Sequence, residues 1–315
     1  MTEKTSQDVA ESSRGSLRTL ILGSYGQLGR ELQHVFTGFG SITAADRDTV
    51  DLGQPDQLRS FIRRVQPDVI LNAAAYTAVD RAESEPQLAQ SINAEAPGIL
   101  AEEAARVHAL LVHYSTDYVF DGAKQEPWVE TDQPHPLNVY GASKLAGERA
   151  IQKVGGEFLI LRTSWVFGPC GNNFLLTMLR LGRERGRLTV VDDQVGAPTS
   201  TIGLARATQM IVGGVMSGRF GAAYEWAGLY HITCAGSTSW FGFAQEIFSR
   251  SEELIGLKAP ELDPVASKDY PTPAQRPLNS LLSNAKLIDR FGLQLPSWQR
   301  ALDEVLEVIR SQSAP

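Results

Sequence analysis

A short apolar run, Leu20-Ile21-Leu22, closes in Gly23-Ser24-Tyr25-Gly26-Gln27-Leu28-Gly29, and helical spacing follows at once with Leu28, Leu32, Val35 and Phe36 on one face. The order strand, glycine turn, helix is the opening of a parallel α/β unit. Gly23, Gly26 and Gly29 permit a tight turn and let a pyrophosphate approach the backbone, while the helix N-terminus supplies free N–H groups and a partial positive charge. Asp46 follows Gly26 by 20 residues, at the predicted end of a second strand over 41–45. A carboxylate there can bond both ribose hydroxyls of an adenosine. Arg47 beside it offers a guanidinium to a 2′-phosphate, so use of either NADPH or NADH is expected.

The alternation continues. The pattern predicts an amphipathic helix over 57–65, a strand over 69–71, an Ala-rich helix over 95–107 and a strand over 109–114. A helix over 140–154 and a strand over 158–161 complete this half. Alternating strands and helices predict a doubly wound parallel sheet, Rossmann-like, in the α/β class. Beyond about residue 165 the rhythm loosens, with short strands at 188–191 and 228–232, a helix over 240–249 and a last amphipathic helix over 298–309. Five prolines between Ala259 and Asn279 predict an ordered but irregular loop. The expected division is a disordered tail over 1–17 and a dinucleotide-binding domain over 18–180 with a return segment at about 200–235. A second, smaller α/β substrate domain takes about 181–199 and 236–315.

Composition narrows the function classes. A net charge of −7 over 315 residues argues against general affinity for nucleic acid or anionic membranes. Residues 1–17 are polar with no apolar signal core, and no apolar run approaches the roughly 18 residues of a membrane span, so a cytoplasmic protein is expected. Cys170 and Cys234 make no disulfide framework and are expected to be buried thiols. His34, His108, His113, His135 and His231 are scattered without metal-ligand spacing, and neither a GxSxG elbow nor a Walker sequence is present.

The chemistry points to Thr116, Tyr140 and Lys144. Tyr140 and Lys144 lie four residues apart on a predicted helix and share one face. An ammonium beside a phenol favours its ionisation and completes a proton relay, while the Thr116 hydroxyl would bond a carbonyl oxygen. Asp117 is either a substrate contact or a local hydrogen-bonder. Asp51 and Leu52 would border the adenine, with Asp51 as a helix cap the competing reading. The small residues Asn72-Ala73-Ala74-Ala75 at the third strand's end would let a dinucleotide cross closely, or serve tight helix–sheet packing. Trp165 could wall a hexose or belong to the core. Arg276, in the Pro-rich loop, is a candidate for a diphosphate or a surface salt bridge.

The strings 72–80, 113–120, 162–167, 193–199 and 270–277, together with the glycine turn and the Tyr/Lys pair, resemble the extended short-chain dehydrogenase/reductase family over nearly the whole chain. The resemblance implies reduction of the C4 carbonyl of dTDP-4-dehydro-β-L-rhamnose by NADPH or NADH, the last step of dTDP-rhamnose synthesis. It makes Thr116, Tyr140 and Lys144 catalytic and puts Gly26, Gln27, Leu28, Asp46, Asp51, Leu52, Ala75, Tyr76 and Thr77 on the cofactor. Val79, Asp117 and Trp165 would border the sugar. Some family members are dimers around a magnesium ion held by carboxylates. Glu31 matches one such position, but the others fall at Ile202 and Val308, which cannot bind a hard cation, so no metal is expected and the oligomer stays open between monomer and homodimer. A nucleotide-sugar 4-epimerase shares the Tyr/Lys pair. A non-catalytic regulator similar to the methionine adenosyltransferase β subunit is the reading from another class.

Overall fold

The computed structural model describes residues 16–313. Most of the tail expected over 1–17 lies outside them, and Leu17 is already the first residue of β1 (Leu17–Leu22). There follow α1 (Gln27–Phe36), β2 (Gly40–Ala45), α2 (Pro55–Val65) and β3 (Val69–Asn72). After the single turn α3 (Val79–Ala82), α4 (Pro86–Gln90) runs through a π-helical turn, Ser91–Glu95, into α5 (Ala96–Val107). The predicted helix over 95–107 is thus the second half of a longer one, whose first half carries too little apolar periodicity to be read. β4 (Leu110–Thr116), α6 (Val139–Val154) and β5 (Phe158–Thr163) come next.

The second half begins with β6 (Val166–Phe167), α7 (Phe174–Glu184), β7 (Arg187–Val191), β8 (Val195–Gly196) and β9 (Thr199–Ser200). Then come α8 (Thr201–Met216), α9 (Ala223–Trp226), β10 (Gly228–His231) and β11 (Thr238–Ser239). The chain ends in α10 (Trp240–Ile255), β12 (Glu261–Val265), α11 (Ala285–Phe291) and α12 (Trp298–Ser313).

Six parallel strands form the main sheet in the order β10-β5-β4-β3-β1-β2. β3 and β4 are buried on both faces, as a sheet covered by helices on each side requires. The chain leaves β1 toward β2 on one side and returns to β3 on the other, so the strand order reverses beside β1. Ligands of open α/β sheets sit at the carboxyl ends of strands at such a reversal. One buried apolar cluster runs from Ile21, Leu71 and Leu161 of this sheet through α8 to Phe243, Phe248, Trp298 and Leu302 of α10 and α12.

Two expectations need correction. The Pro-rich stretch is not wholly irregular, because Glu261–Val265 pairs in parallel with β7. Pro264 hid that strand, yet a two-stranded ribbon has outer edges where a missing N–H costs no ladder bond. Cys170 is only half-buried, in contrast to Cys234, whose thiol burial pushes up to about 11. Among the described residues no helix is long and apolar enough to cross a membrane.

Candidate active site

The carboxyl ends of β1, β3, β4 and β5 open into one cavity of about 740 Å³. Gly23, the first residue past β1, has φ +76, and a Cβ on it would stand 2.8 Å from the Ala74 backbone. Only glycine lets the β1 and β3 exits come that close. Gly26 is the N-cap of α1 and no side chain caps the helix, so its first N–H groups are left for a ligand. Gly29 does not line the cavity. A Cβ there would sit 2.0 Å from the Gly23 carbonyl oxygen, so its part is to seat α1 on the turn.

The rim beyond the turn is held by Asp46. Its carboxylate accepts the Tyr25 N–H (2.9 Å) and the Arg47 N–H (2.7 Å), and both Asp46 and Arg47 line the cavity. Asp51 lines it too and is not a helix cap. Its Oδ1 accepts the Gly53 N–H at 2.9 Å, whereas the N-cap of α2 is Gln54. Leu52, Ala73, Ala74, Ala75, Tyr76 and Thr77 complete this wall.

Deeper in, β4 delivers Thr116 and α6 delivers Tyr140 and Lys144. Asn138 caps α6 by accepting the Gly141 N–H (2.8 Å), which fixes the helix start one residue before Tyr140. Tyr140 is half-buried and its ring is edge-on to Tyr118, with ring centroids 5.6 Å apart. Burial pushes its pKa up to about 12, Thr116 draws it down by a hydrogen bond, and the charge of Asp117 raises it. Burial is the largest influence on the phenol in this structure, ahead of Thr116 and Asp117. Lys144 Nζ donates to the Tyr114 carbonyl (2.6 Å) and stands 3.2 Å from His113 Nε2. Burial lowers this ammonium to about 8, against a smaller raising effect of Glu148. Thr116 Oγ1 donates to Asp117 Oδ1 (3.0 Å) and accepts the Tyr118 N–H, and Ser280 also hydrogen-bonds the buried Asp117 carboxylate. Burial holds Asp117 up at about 6.

A family model described as the RmlD substrate binding domain matches residues 17–311. The chain belongs to that family. A dTDP-4-dehydrorhamnose reductase of Burkholderia thailandensis is 45% identical over 299 residues, covering 94% of this chain and 100% of its own. A crystal structure of dTDP-4-dehydrorhamnose reductase from Bacillus anthracis in complex with NADP matches at TM-score 0.84 and 37% identity, covering 92% of this chain and 98% of that one. A dTDP-4-dehydrorhamnose reductase orthologue from Clostridium acetobutylicum matches at TM-score 0.85 and 37% identity, covering 93% and 100%.

Set within the RmlD substrate binding domain family, nearly all residues singled out from sequence face one cavity, including Val79, Asp117 and Trp165. Trp165 is at once wall and core. Its indole is stacked on Trp240 with centroids 3.6 Å apart, and its backbone has φ +47, a strained value that the stack and the close Gly196 hold in place. Arg276 does not line the cavity. It donates to Asp80 Oδ2 (2.9 Å) and is hydrogen-bonded to Tyr118, so the salt-bridge alternative describes its place in this structure. Tyr25, Tyr118, Thr163, Gly171 and Asn172 also line the cavity without having been singled out. Gly171 and Asn172 lie in an aperiodic segment before α7, where sequence carries no local signal. Tyr118 sits beside Asp117 in a string already notable, and its place after Thr116 was the available cue.

Proposed function

We propose that this chain reduces the C4 carbonyl of dTDP-4-dehydro-β-L-rhamnose, with NADPH or NADH as hydride donor, to give dTDP-L-rhamnose. The observation that carries it is the convergence of Thr116, Tyr140 and Lys144 on the cavity opened by the glycine turn. Reductases of that name, one of them holding NADP, share the fold and over a third of the sequence. The uncapped start of α1, the glycine cradle at Ala74 and the Asp46–Arg47 rim suit a dinucleotide, and Arg47 would meet a 2′-phosphate.

A reduced nicotinamide held by these residues would supply the hydride for C4. Thr116 and Tyr140 hold the carbonyl oxygen between two hydroxyls, which orients the carbon and stabilises the charge that gathers on that oxygen. Tyr140 gives its proton to the oxygen as the C–H bond forms, leaving an alcohol. A phenol that keeps its proton at neutral pH is the acid this direction needs, consistent with a pKa raised to about 12. Lys144 stabilises the phenolate and returns a proton to it. We assign residues 18–180 with 200–235 to the dinucleotide, and 181–199 with 236–315 to the sugar nucleotide. In this scheme Val79, Asp117 and Trp165 border the sugar, and Arg276 reaches the diphosphate only by releasing Asp80.

An epimerase would return the hydride to its own substrate and need no cofactor exchange. The direct test follows reduced-nicotinamide absorbance with each cofactor and dTDP-4-dehydrorhamnose, with product identification. Stoichiometric oxidation yielding dTDP-L-rhamnose is expected. Folded, dinucleotide-binding protein that oxidises neither cofactor would remove the assignment.

A further inference from the structure

Lys144 lines the cavity, and its Nζ is held against β4 by two groups, the Tyr114 carbonyl and the His113 ring. Its ammonium carries donors and no acceptor, so whatever faces it must offer a lone pair. The Tyr114 carbonyl does so at 2.6 Å. The other neighbour is His113 Nε2 at 3.2 Å, on a ring that is completely buried. His113 stands beside Asn72 in the β3–β4 register, and the Asn72 amide meets His113 Nδ1 at 2.9 Å.

Only one tautomer suits all three groups. A proton on Nε2 would point at the ammonium, donor against donor. With the proton on Nδ1, the Nε2 lone pair accepts from Lys144, and Nδ1–H needs an acceptor from Asn72. The Asn72 amide oxygen is buried and has no partner while the amide nitrogen faces Nδ1, and turning the amide about its axis brings that oxygen onto Nδ1–H. The same turn removes the donor–donor clash at the lysine. An imidazolium is disfavoured, because burial and the Lys144 charge both hold His113 well below its ordinary range.

We propose that His113 is a positioning residue for Lys144: a neutral imidazole protonated on Nδ1, held in that tautomer by the Asn72 amide oxygen, whose Nε2 lone pair anchors the ammonium. Its value to the reaction is geometric and electrostatic. A buried lysine with too few acceptors would turn away or lose its proton. Of the surrounding charged groups, Glu148 on its own helix acts on Lys144 and is itself bound by Arg162 of β5, while Asp117 acts on Tyr140. None of these supplies the acceptor that His113 does.

Two measurements test this, and only the second rests on the reductase reading. Nitrogen NMR of the histidine rings, with His113 assigned through contacts to the Asn72 side chain, should show a neutral ring protonated at Nδ1 from acid to neutral pH. A ring protonated at Nε2, or an imidazolium at neutral pH, would overturn the proposal whatever the protein catalyses. The second is the pH profile of kcat/KM for His113→Leu and His113→Gln, each first shown to fold and bind NADPH. His113→Leu should move the alkaline limb down by about one pH unit, the shift expected from losing one charge-assisted hydrogen bond. His113→Gln keeps an acceptor near the Nε2 position and should restore the limb. A uniform loss of rate in both variants, with the limb unmoved, would reduce His113 to a packing residue.

Discussion

Glu148 grips the Arg162 guanidinium at two points, 2.9 and 2.6 Å, one helical turn beyond Lys144, with both side chains almost fully buried. Ser115 donates to the same carboxylate (2.5 Å), and Arg162 lies over the Phe120 ring. The pair joins α6 to β5 and holds a negative charge near the lysine. Glu148→Gln leaves a buried guanidinium short of its counter-charge, which should cost about 3–5 kcal/mol in a urea titration. Because Glu148 also raises the Lys144 pKa, the variant's alkaline rate limb should move to lower pH.

Tyr140→Phe removes the proposed acid and leaves the ring packed on Tyr118. Turnover should fall by about 10²–10⁴, the usual worth of a positioned acid. The dissociation constant for NADPH should stay within a few-fold, since the glycine turn and the Asp46 rim are untouched. Thr116→Val should lower kcat by a smaller factor, read in the same assay.

Lys144 gives the pH dependence its sign. Its folded pKa of about 8 lies below the ordinary lysine value of 10.5. Between those values the unfolded chain binds more protons than the folded one, so stability should rise as pH rises through that window. Activity should move the other way, because the relay needs the ammonium. The free-enzyme kcat/KM is expected to fall as pH passes about 8. Denaturant midpoints and initial rates on one buffer series check both signs.

Much of this was legible in the sequence because the informative residues sit where local pattern is strong. β1, the glycine turn and α1 were readable from a buried apolar run followed by helical spacing. Thr116, Tyr140 and Lys144 were readable from a strand end and a one-turn spacing. What escaped depends on contacts distant in sequence. The Lys144–His113–Asn72 chain joins three elements, and His113 alone looks like any buried histidine. The stack of Trp165 on Trp240 couples residues 75 apart. β12 was masked by a proline that only an edge strand tolerates.

Gly29→Ala tests the cradle. Its Cβ would meet the Gly23 carbonyl oxygen at 2.0 Å, a backbone contact that no rotamer change relieves. Dinucleotide affinity should fall at least tenfold, roughly, with a lowered melting temperature, because the turn must open. Arg47→Ala should be selective. It should weaken NADPH by roughly 10–100-fold, the loss of a charge-assisted contact to phosphate, and leave NADH nearly unchanged. Titration of each cofactor against each variant separates the two effects.

The central claim is that hydride passes from the reduced cofactor to the sugar's C4. The most direct measurement supplies NADPH deuterated at the reactive nicotinamide carbon, with dTDP-4-dehydrorhamnose, and locates the label by NMR. One deuterium at C4 of dTDP-L-rhamnose, with an equivalent of oxidised cofactor, is the predicted result. Product without deuterium at C4, or label at another carbon, would contradict it.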